Sequence, residues 1–407
     1  MQETILNTLQ IVGDSKYGGA TYLIIQWCKY LLDQRCQVEV LSTDAVTIRE
    51  IRKIKGVRIR EDIYIPRDIK PMTDGKAFIK LMRLFRHASY DVVHTYTATP
   101  GFLGRIAARM SGVPVILNHQ AGWTVNDYST LGERLFYTPL EYLATLASTK
   151  AICVSHAVNS QAHKLRIAPQ SKLVTICNGI EPQPFMKTGN TAVEREALCK
   201  RLKISTDHVI IGNTGRLSAQ KDNETLIRAM AVLKTILKDR RFTLVLVGDG
   251  PDRLKLATLV QSLKLTDQVR FLGFCQDIPS LLAGLDIFVN PSLWEGLSIS
   301  LLEAMASARP IVTTSIPANA ELIEHQVTGL TIPPKSPEHI AQAINRFVQD
   351  PEFAQKCARA ARQRVVERYT IDRMFRETWD LYINLLKNKN IKLETRNSVR
   401  DCAHSVQ

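Results

Sequence analysis

Short β-branched runs alternate with amphipathic segments in this chain, and they do so in two separate series. The first, before residue 180, is ILNTLQIV, QVEVLS, DVVHTY, PVILNH, KAICVS and LVTIC. The second is HVIIGNT, FTLVLVG, QVRFLG, LDIFVNP, PIVTTS and GLTI. Strands apolar on both faces need cover on both, and helices between successive strands impose parallel pairing through crossovers. The helix after the first strand shows the logic, with Tyr22, Leu23, Gln26, Trp27, Tyr30 and Leu31 in a mostly apolar stripe. The pattern predicts an α/β chain of two Rossmann-like domains in tandem. With 407 residues the chain can build two cores of about 200 residues each.

The Pro- and Gly-containing stretch EPQPFMKTGN separates the two series. The division expected is a first domain over 1–183, a second over 184–368, a final helix over 369–388 and a flexible tail over 389–407. Ile371, Met374, Phe375, Trp379, Tyr382 and Leu385 line one face of that helix, which needs cover.

Composition narrows the function classes. Apolar residues at 45% and charged ones at 23% are globular values, which excludes a disordered or collagen-like chain. No apolar run approaches a membrane span, and Glu3 stands where a signal peptide carries Lys or Arg, so a cytoplasmic place is expected. Eight cysteines without a Cys-x-x-Cys pair or metal spacing read as reduced core thiols, and no metal site is expected. A net charge of +14 points to an anionic partner.

The most informative segment is NPSLWEGLSISLLEAMASARPIV, a strand leading through a Gly-containing turn into a helix that Ser298 is placed to cap. Eight helical steps rotate by about 800°, so Glu295 and Glu303 act together only if Glu295 lies in the loop. The N–H groups of Gly296, Leu297 and Ser298 would then receive a diphosphate, and Glu303 a ribose diol. Alone, each Glu reads as an ordinary helix residue. The whole string, flanks included, resembles the Glu-x7-Glu signature of the large retaining family of GT-B glycosyltransferases, which includes bacterial polysaccharide and lipopolysaccharide sugar transferases.

That resemblance extends along most of the chain and implies a role for further residues. In GNTGRLSAQKDNETL, Arg216 and Lys221 match the basic pair that neutralises the donor diphosphate, and Asp222 would cap the next helix. LVLVGDGPDR and VRFLGFCQDIPSLLAGLDIFVNP match the nucleoside-binding segments, which puts Gly248, Phe274 and Cys275 beside the base. Gly18 and Gly19 match the first glycine loop. His119, at the end of PVILNH, matches a histidine that touches the donor sugar, while His94 reads as structural. Asn178-Gly179 reads as the turn at the interdomain hinge.

Two departures stand out. Ala308 replaces the usual Gly after the Glu303 helix, and Pro317-Ala318-Asn319-Ala320 replaces a Gly-Gly ahead of Glu321.

The resemblance implies two domains facing a cleft and a final helix that crosses back to the first. The reaction implied is metal-independent, retaining transfer, with Glu295 and His119 as catalytic residues and no cofactor beyond the nucleotide-sugar itself. A UDP-sugar is the donor it implies first, with a glycan or lipid-linked acceptor. Residues 49–60, REIRKIKGVRIR, and Lys76, Lys80, Arg83 and Arg86 would suit peripheral contact with an anionic membrane, at the inner face of the plasma membrane. Nucleic acid is not expected. Two rivals stay open: a GT-B sugar-nucleotide epimerase, and a non-catalytic basic module for membrane or nucleic acid.

Overall fold

The computed structural model describes residues 6–14, 18–186, 191–389 and 391. The first series forms a seven-stranded parallel sheet of β1 (Asn7–Gly13), β2 (Gln37–Ser42), β3 (Val57–Arg60), β4 (Val92–Thr95), β5 (Val115–Gln120), β6 (Lys150–Cys153) and β7 (Leu173–Thr175), in the order β3-β2-β1-β4-β5-β6-β7. The second forms a six-stranded parallel sheet of β8 (Val209–Thr214), β9 (Phe242–Val247), β10 (Val269–Gly273), β11 (Ile287–Asn290), β12 (Ile311–Thr314) and β13 (Leu330–Ile332), in the order β10-β9-β8-β11-β12-β13. Both sheets reverse direction beside their first strand, at β1/β4 and β8/β11. The crevice at such a switch point, outside the carboxyl ends of the strands, is where ligands gather in this architecture.

Edge strand β3 is an addition to the reading from sequence. Val57 and Ile59 alternate with Arg58 and Arg60, a period-2 pattern hidden inside a run of charge. Because the strand sits at an edge, one side needs no apolar cover.

The helix Ile371–Lys387 packs on the first domain. Ile371, Met374, Phe375, Tyr382 and Leu386 are buried against Leu23, Trp27 and Leu31 of helix Gly19–Asp33. Trp27 lies 5.2 Å from the Phe375 ring and meets Tyr382 edge-on at 5.5 Å. Each such side chain contributes about 1.5–3 kcal/mol by leaving water. The chain crosses between domains twice at one place, because Ile180 pairs with the return strand: its N–H donates to Tyr369 O at 2.9 Å, and Ile371 N–H donates back to its carbonyl at 2.8 Å. Asn178-Gly179 is therefore an extended crossing rather than a turn. Glycine is required at 179 because a Cβ there would lie 2.2 Å from Thr370 O.

The described cysteines are free thiols, five of them buried. Cys402 and nearly all of the tail, 390 and 392–407, lie outside the described residues. No helix among the described residues is long and apolar enough to cross a membrane.

Candidate active site

A cleft of about 2420 Å³ lies between the two domains and is lined from both. On its second-domain side, β8, β9 and β10 end together. Gly215 N–H donates to Val247 O at 2.9 Å and Gly248 N–H to Gly273 O at 2.7 Å. Gly248 has φ +121°, and a Cβ there would stand 2.0 Å from Gly215 O, so only glycine lets these strand ends meet. Arg216 leaves this junction into the cleft, exposed, with no hydrogen-bond or ion-pair partner among the described residues. Phe274, 69% exposed, and Cys275 line the same wall. Phe274 is free to stack on a planar ring. The Cys275 thiol donates to Asp277 O.

Glu295 lies in the loop between β11 and the helix Ile299–Ala306, as its spacing from Glu303 requires. The loop is braced from below. Ser292 Oγ donates to Glu295 at 2.7 Å, Thr314 Oγ1 to Ser292 O at 2.6 Å, and Asn290 Nδ2 to Ser298 Oγ at 3.0 Å. Ser298 occupies the N-cap position, but its hydroxyl serves Asn290 and Ser300 and does not cap the helix. The N–H groups of Leu297, Ser298, Ile299 and Ser300 find no acceptor among the described residues, and all four residues line the cleft. Arg216 and these unsatisfied N–H groups at a helix N-terminus line the same cleft, an arrangement suited to an anion.

Lys221 is committed differently from Arg216, because its ammonium pairs with Glu295 in a mostly buried contact. Glu303, one turn into the helix, faces the cleft with its carboxyl pushed up to about 7 by burial, an effect Lys221 partly opposes. Gly18 and Gly19 line the opposite wall, where a Cβ added at Gly19 would meet Ile299 at 3.4 Å across the cleft. Residues 15–17 of the glycine loop lie outside the described residues.

Known proteins match along this architecture. Residues 17–184 match the model for Glycosyltransferase Family 4, and residues 194–364 that for Glycosyl transferases group 1. An uncharacterised glycosyltransferase of Methanocaldococcus jannaschii is 32% identical over 299 residues, 72% of this chain and 75% of its own. The chain belongs to the GT-B glycosyltransferases of group 1 and family 4.

Another relative of the transferase is the Escherichia coli UDP-Gal:alpha-D-GlcNAc-diphosphoundecaprenol alpha-1,3-galactosyltransferase, 29% identical over 79% of this chain and 83% of its own. Among solved structures, Anabaena HepE in complex with UDP and glucose superposes with a TM-score of 0.80 at 20% identity, covering 93% of this chain and all of that one. At that identity the likeness speaks for the fold.

Two expected residues of the transferase stand elsewhere. Gly296 does not line the cleft. Its carbonyl accepts from Ser155 Oγ at 2.6 Å, and a Cβ on it would lie 1.7 Å from Ala121 O, so it is a point of close contact between the domains. His119 lies behind that wall rather than in it. Its Nε2 is 3.0 Å from Asn178 Oδ1, and its ring packs near Tyr96 and His94. With Asn178 accepting, Nε2 carries the proton, and burial pulls the imidazole down to about 4, so it is neutral at physiological pH. His94, fully buried, bonds Tyr382 Oη at 2.8 Å beneath the final helix.

Glu321 also stands outside the cleft. Its carboxylate accepts from the backbone N–H groups of His156 and Ala157 at 3.1 and 3.0 Å, capping a first-domain helix from the second domain. The Cys177 thiol, pushed up to about 12 mainly by burial, donates to the same carboxylate. His156, Cys177 and Glu321 are grouped closely enough to face a cation, but the carboxylate is already occupied by this cap.

On the first-domain side the transferase holds a pair that sequence reasoning missed. Arg105, 2% exposed, lies 3.6 Å from Glu141, and Thr124 Oγ1 donates to Glu141 at 2.8 Å. All three line the cleft, and Arg105 Nη1 has no partner among the described residues. The residues are 36 apart in sequence, so no local spacing announces them.

Proposed function

We propose that the transferase moves a hexosyl group from a UDP-sugar to a lipid-linked or glycan acceptor, with retention of configuration and without a metal ion. The observation that carries this reading is the unpaired Arg216 beside the four free N–H groups at the start of the helix Ile299–Ala306. A departing nucleoside diphosphate develops negative charge, and preorganised donors aimed at that charge lower the barrier without reorganising. Arg216 and these N–H groups would serve where a divalent ion otherwise would. Lys221 would turn partly from Glu295 to the phosphates. Glu303 accepts from the ribose hydroxyls, and Phe274 stacks on the base. Glu295, held by Ser292 and Lys221, faces the sugar. His119 acts as a positioning residue, because it bonds Asn178 at the interdomain crossing and lies two residues from the Ala121 backbone that abuts Gly296.

The acceptor reading is supported by the Escherichia coli relative, whose name gives a diphosphoundecaprenol-linked substrate. A peripheral place at an anionic membrane surface follows for such an acceptor.

Thermal shift with UDP, GDP and ADP, all at one common concentration, tests the donor. A nucleotide present at about 100 times its dissociation constant stabilises by about 2.7 kcal/mol, and a weaker binder at the same concentration stabilises less. UDP is expected to give the largest shift, unaltered by EDTA. A larger shift with GDP or ADP, or loss with EDTA, overturns the corresponding part. The anomeric configuration of the first product, read by NMR, tests retention.

A further inference from the structure

Helix Leu131–Ala147 has the wrong outer face for a helix in water. Its exposed positions are Leu131, Gly132, Glu133, Leu135, Phe136, Pro139, Tyr142, Leu143 and Leu146. Glu133 is the one charged residue among them, and it is turned to its own helix start, where its carboxylate accepts from Thr130 N–H at 2.7 Å. At about 100° per residue the apolar side chains fall within an arc of about 140°. Leu131 is 73% exposed, Leu135 69% and Leu143 55%. At 17 residues the helix is about 26 Å long and lies along the surface. Single exposed apolar residues are ordinary, but a continuous helical face of them marks an interaction surface.

What that surface fits follows from its surroundings. Helices Pro71–His87, Ala98–Met110 and Leu131–Ala147 pack side by side on one layer of the first domain. The outer face of Pro71–His87 carries Lys76, Lys80, Arg83 and Arg86 beside exposed Met72 and Ile79, and no exposed acid. None of the four cations has an ion-pair partner among the described residues. In residues 49–60, the longer basic run in the sequence, four of the six cations are neutralised: Arg49, Arg52, Lys53 and Arg60 are paired with Glu50, Glu61, Glu50 and Glu39. The layer that carries the apolar helix thus bears four cations without a paired carboxylate among the described residues.

An apolar stripe flanked by unneutralised Lys and Arg matches the boundary of an anionic bilayer, where side chains enter the acyl edge and cations meet the headgroups. We propose that this layer docks on an anionic lipid bilayer through the outer face of Leu131–Ala147, with helix Pro71–His87 as its electrostatic flank. Phe136 belongs both to the exposed arc and to the cleft wall, so docking sets the cleft mouth at the lipid surface. This deepens, and rests on, the reading of a lipid-linked acceptor.

The test is co-sedimentation of the full chain with vesicles of phosphatidylglycerol and phosphatidylethanolamine, against vesicles of phosphatidylcholine alone. Binding is expected to the anionic vesicles and to weaken with salt. Leu135→Glu/Leu143→Glu and Lys76→Glu/Arg83→Glu should each lower it at least tenfold, while the UDP-induced thermal shift, which reports an intact fold and cleft, stays as in wild type. Binding that is absent in wild type, or unchanged in both variants, overturns the proposal. So does a wild-type dimer in analytical ultracentrifugation that Leu135→Glu/Leu143→Glu dissociates, since the face would then join two copies of the chain. Transfer to a lipid-linked acceptor in detergent, with no vesicle binding, would sink this proposal and leave the functional reading standing.

Discussion

The two walls of the cleft are built on different plans. The second-domain wall is assembled from short contiguous pieces, Gly215-Arg216, Gly248, Phe274-Cys275 and Glu295 to Glu303, each at the carboxyl end of one strand. The first-domain wall draws on residues from Asp14 to Glu141, and its most buried charges, Arg105 and Glu141, come from different helices. On the proposed function, the contrast reflects what each wall has to recognise. A nucleoside diphosphate presents the same phosphates and ribose every time, and a strand–loop–helix unit meets them with local N–H groups and one cation. An acceptor varies, and its wall is free to vary with it.

The largest effect that would sharpen this comparison is expected from Arg105→Ala. Removing one partner strands Glu141 as an uncompensated buried charge, at a cost of about 3–5 kcal/mol. Chemical denaturation should show that loss, while UDP affinity, measured by titration calorimetry on the folded fraction, changes little. Arg105→Met/Glu141→Leu should recover most of the stability. If Arg105→Ala instead weakens UDP binding, the two walls are not separable.

Next comes Glu303→Gln. Its carboxyl is raised from 4.5 to about 7 in the folded chain. Between those values the folded state binds more protons than the unfolded one, so this residue lowers stability as pH rises from 4.5 to 7, and the penalty is complete above 7. The variant should therefore be more stable than wild type at pH 8, by at most about 3 kcal/mol, and no more stable at pH 4.5. It should also bind UDP more weakly, and the loss of wild-type UDP affinity below pH 7 should disappear with it. A variant no more stable at pH 8 would remove the argument.

Arg216→Ala is expected to weaken UDP about thirtyfold, since a hydrogen bond to a charged group contributes about 2 kcal/mol. Its effect on the melting temperature without ligand should be small, because Arg216 is exposed and unpaired. The smallest effect is expected at Ala308. It ends the Ile299–Ala306 helix at φ +47°, where a Cβ crowds the neighbouring backbone. Ala308→Gly should stabilise by about 1 kcal/mol, visible as a higher midpoint in urea, with donor affinity unchanged.

Legibility followed the same division. All twelve strands written in apolar residues are present, because a strand buried on both faces has to be apolar along its length. The thirteenth, β3, sits at an edge with half its residues charged and gave no such signal. Arg216 and Glu295 were readable because each follows a strand end within a few residues, and Glu303 because it lies one turn into the helix that the same loop opens, so the sheet order brings all three to the crevice.

Pairing across the fold was not readable. Lys221 with Glu295, Arg105 with Glu141, and Gly296 against Ala121 join positions 36 to 175 residues apart, and sequence spacing carries no information at that range. The same limit explains His119, a strand-end residue that the return of the chain through Asn178 draws behind the wall.

By itself the sequence determined the two parallel sheets and which second-domain residues reach the cleft, since periodicity and local spacing act within one strand–loop–helix unit. Only the tertiary structure decided which charges remain free and which apolar face stays uncovered. A cation counts toward a surface only after packing has shown whether a carboxylate lies beside it. Likewise, the outer arc of Leu131–Ala147 looks like any core helix until the fold leaves nothing on top of it.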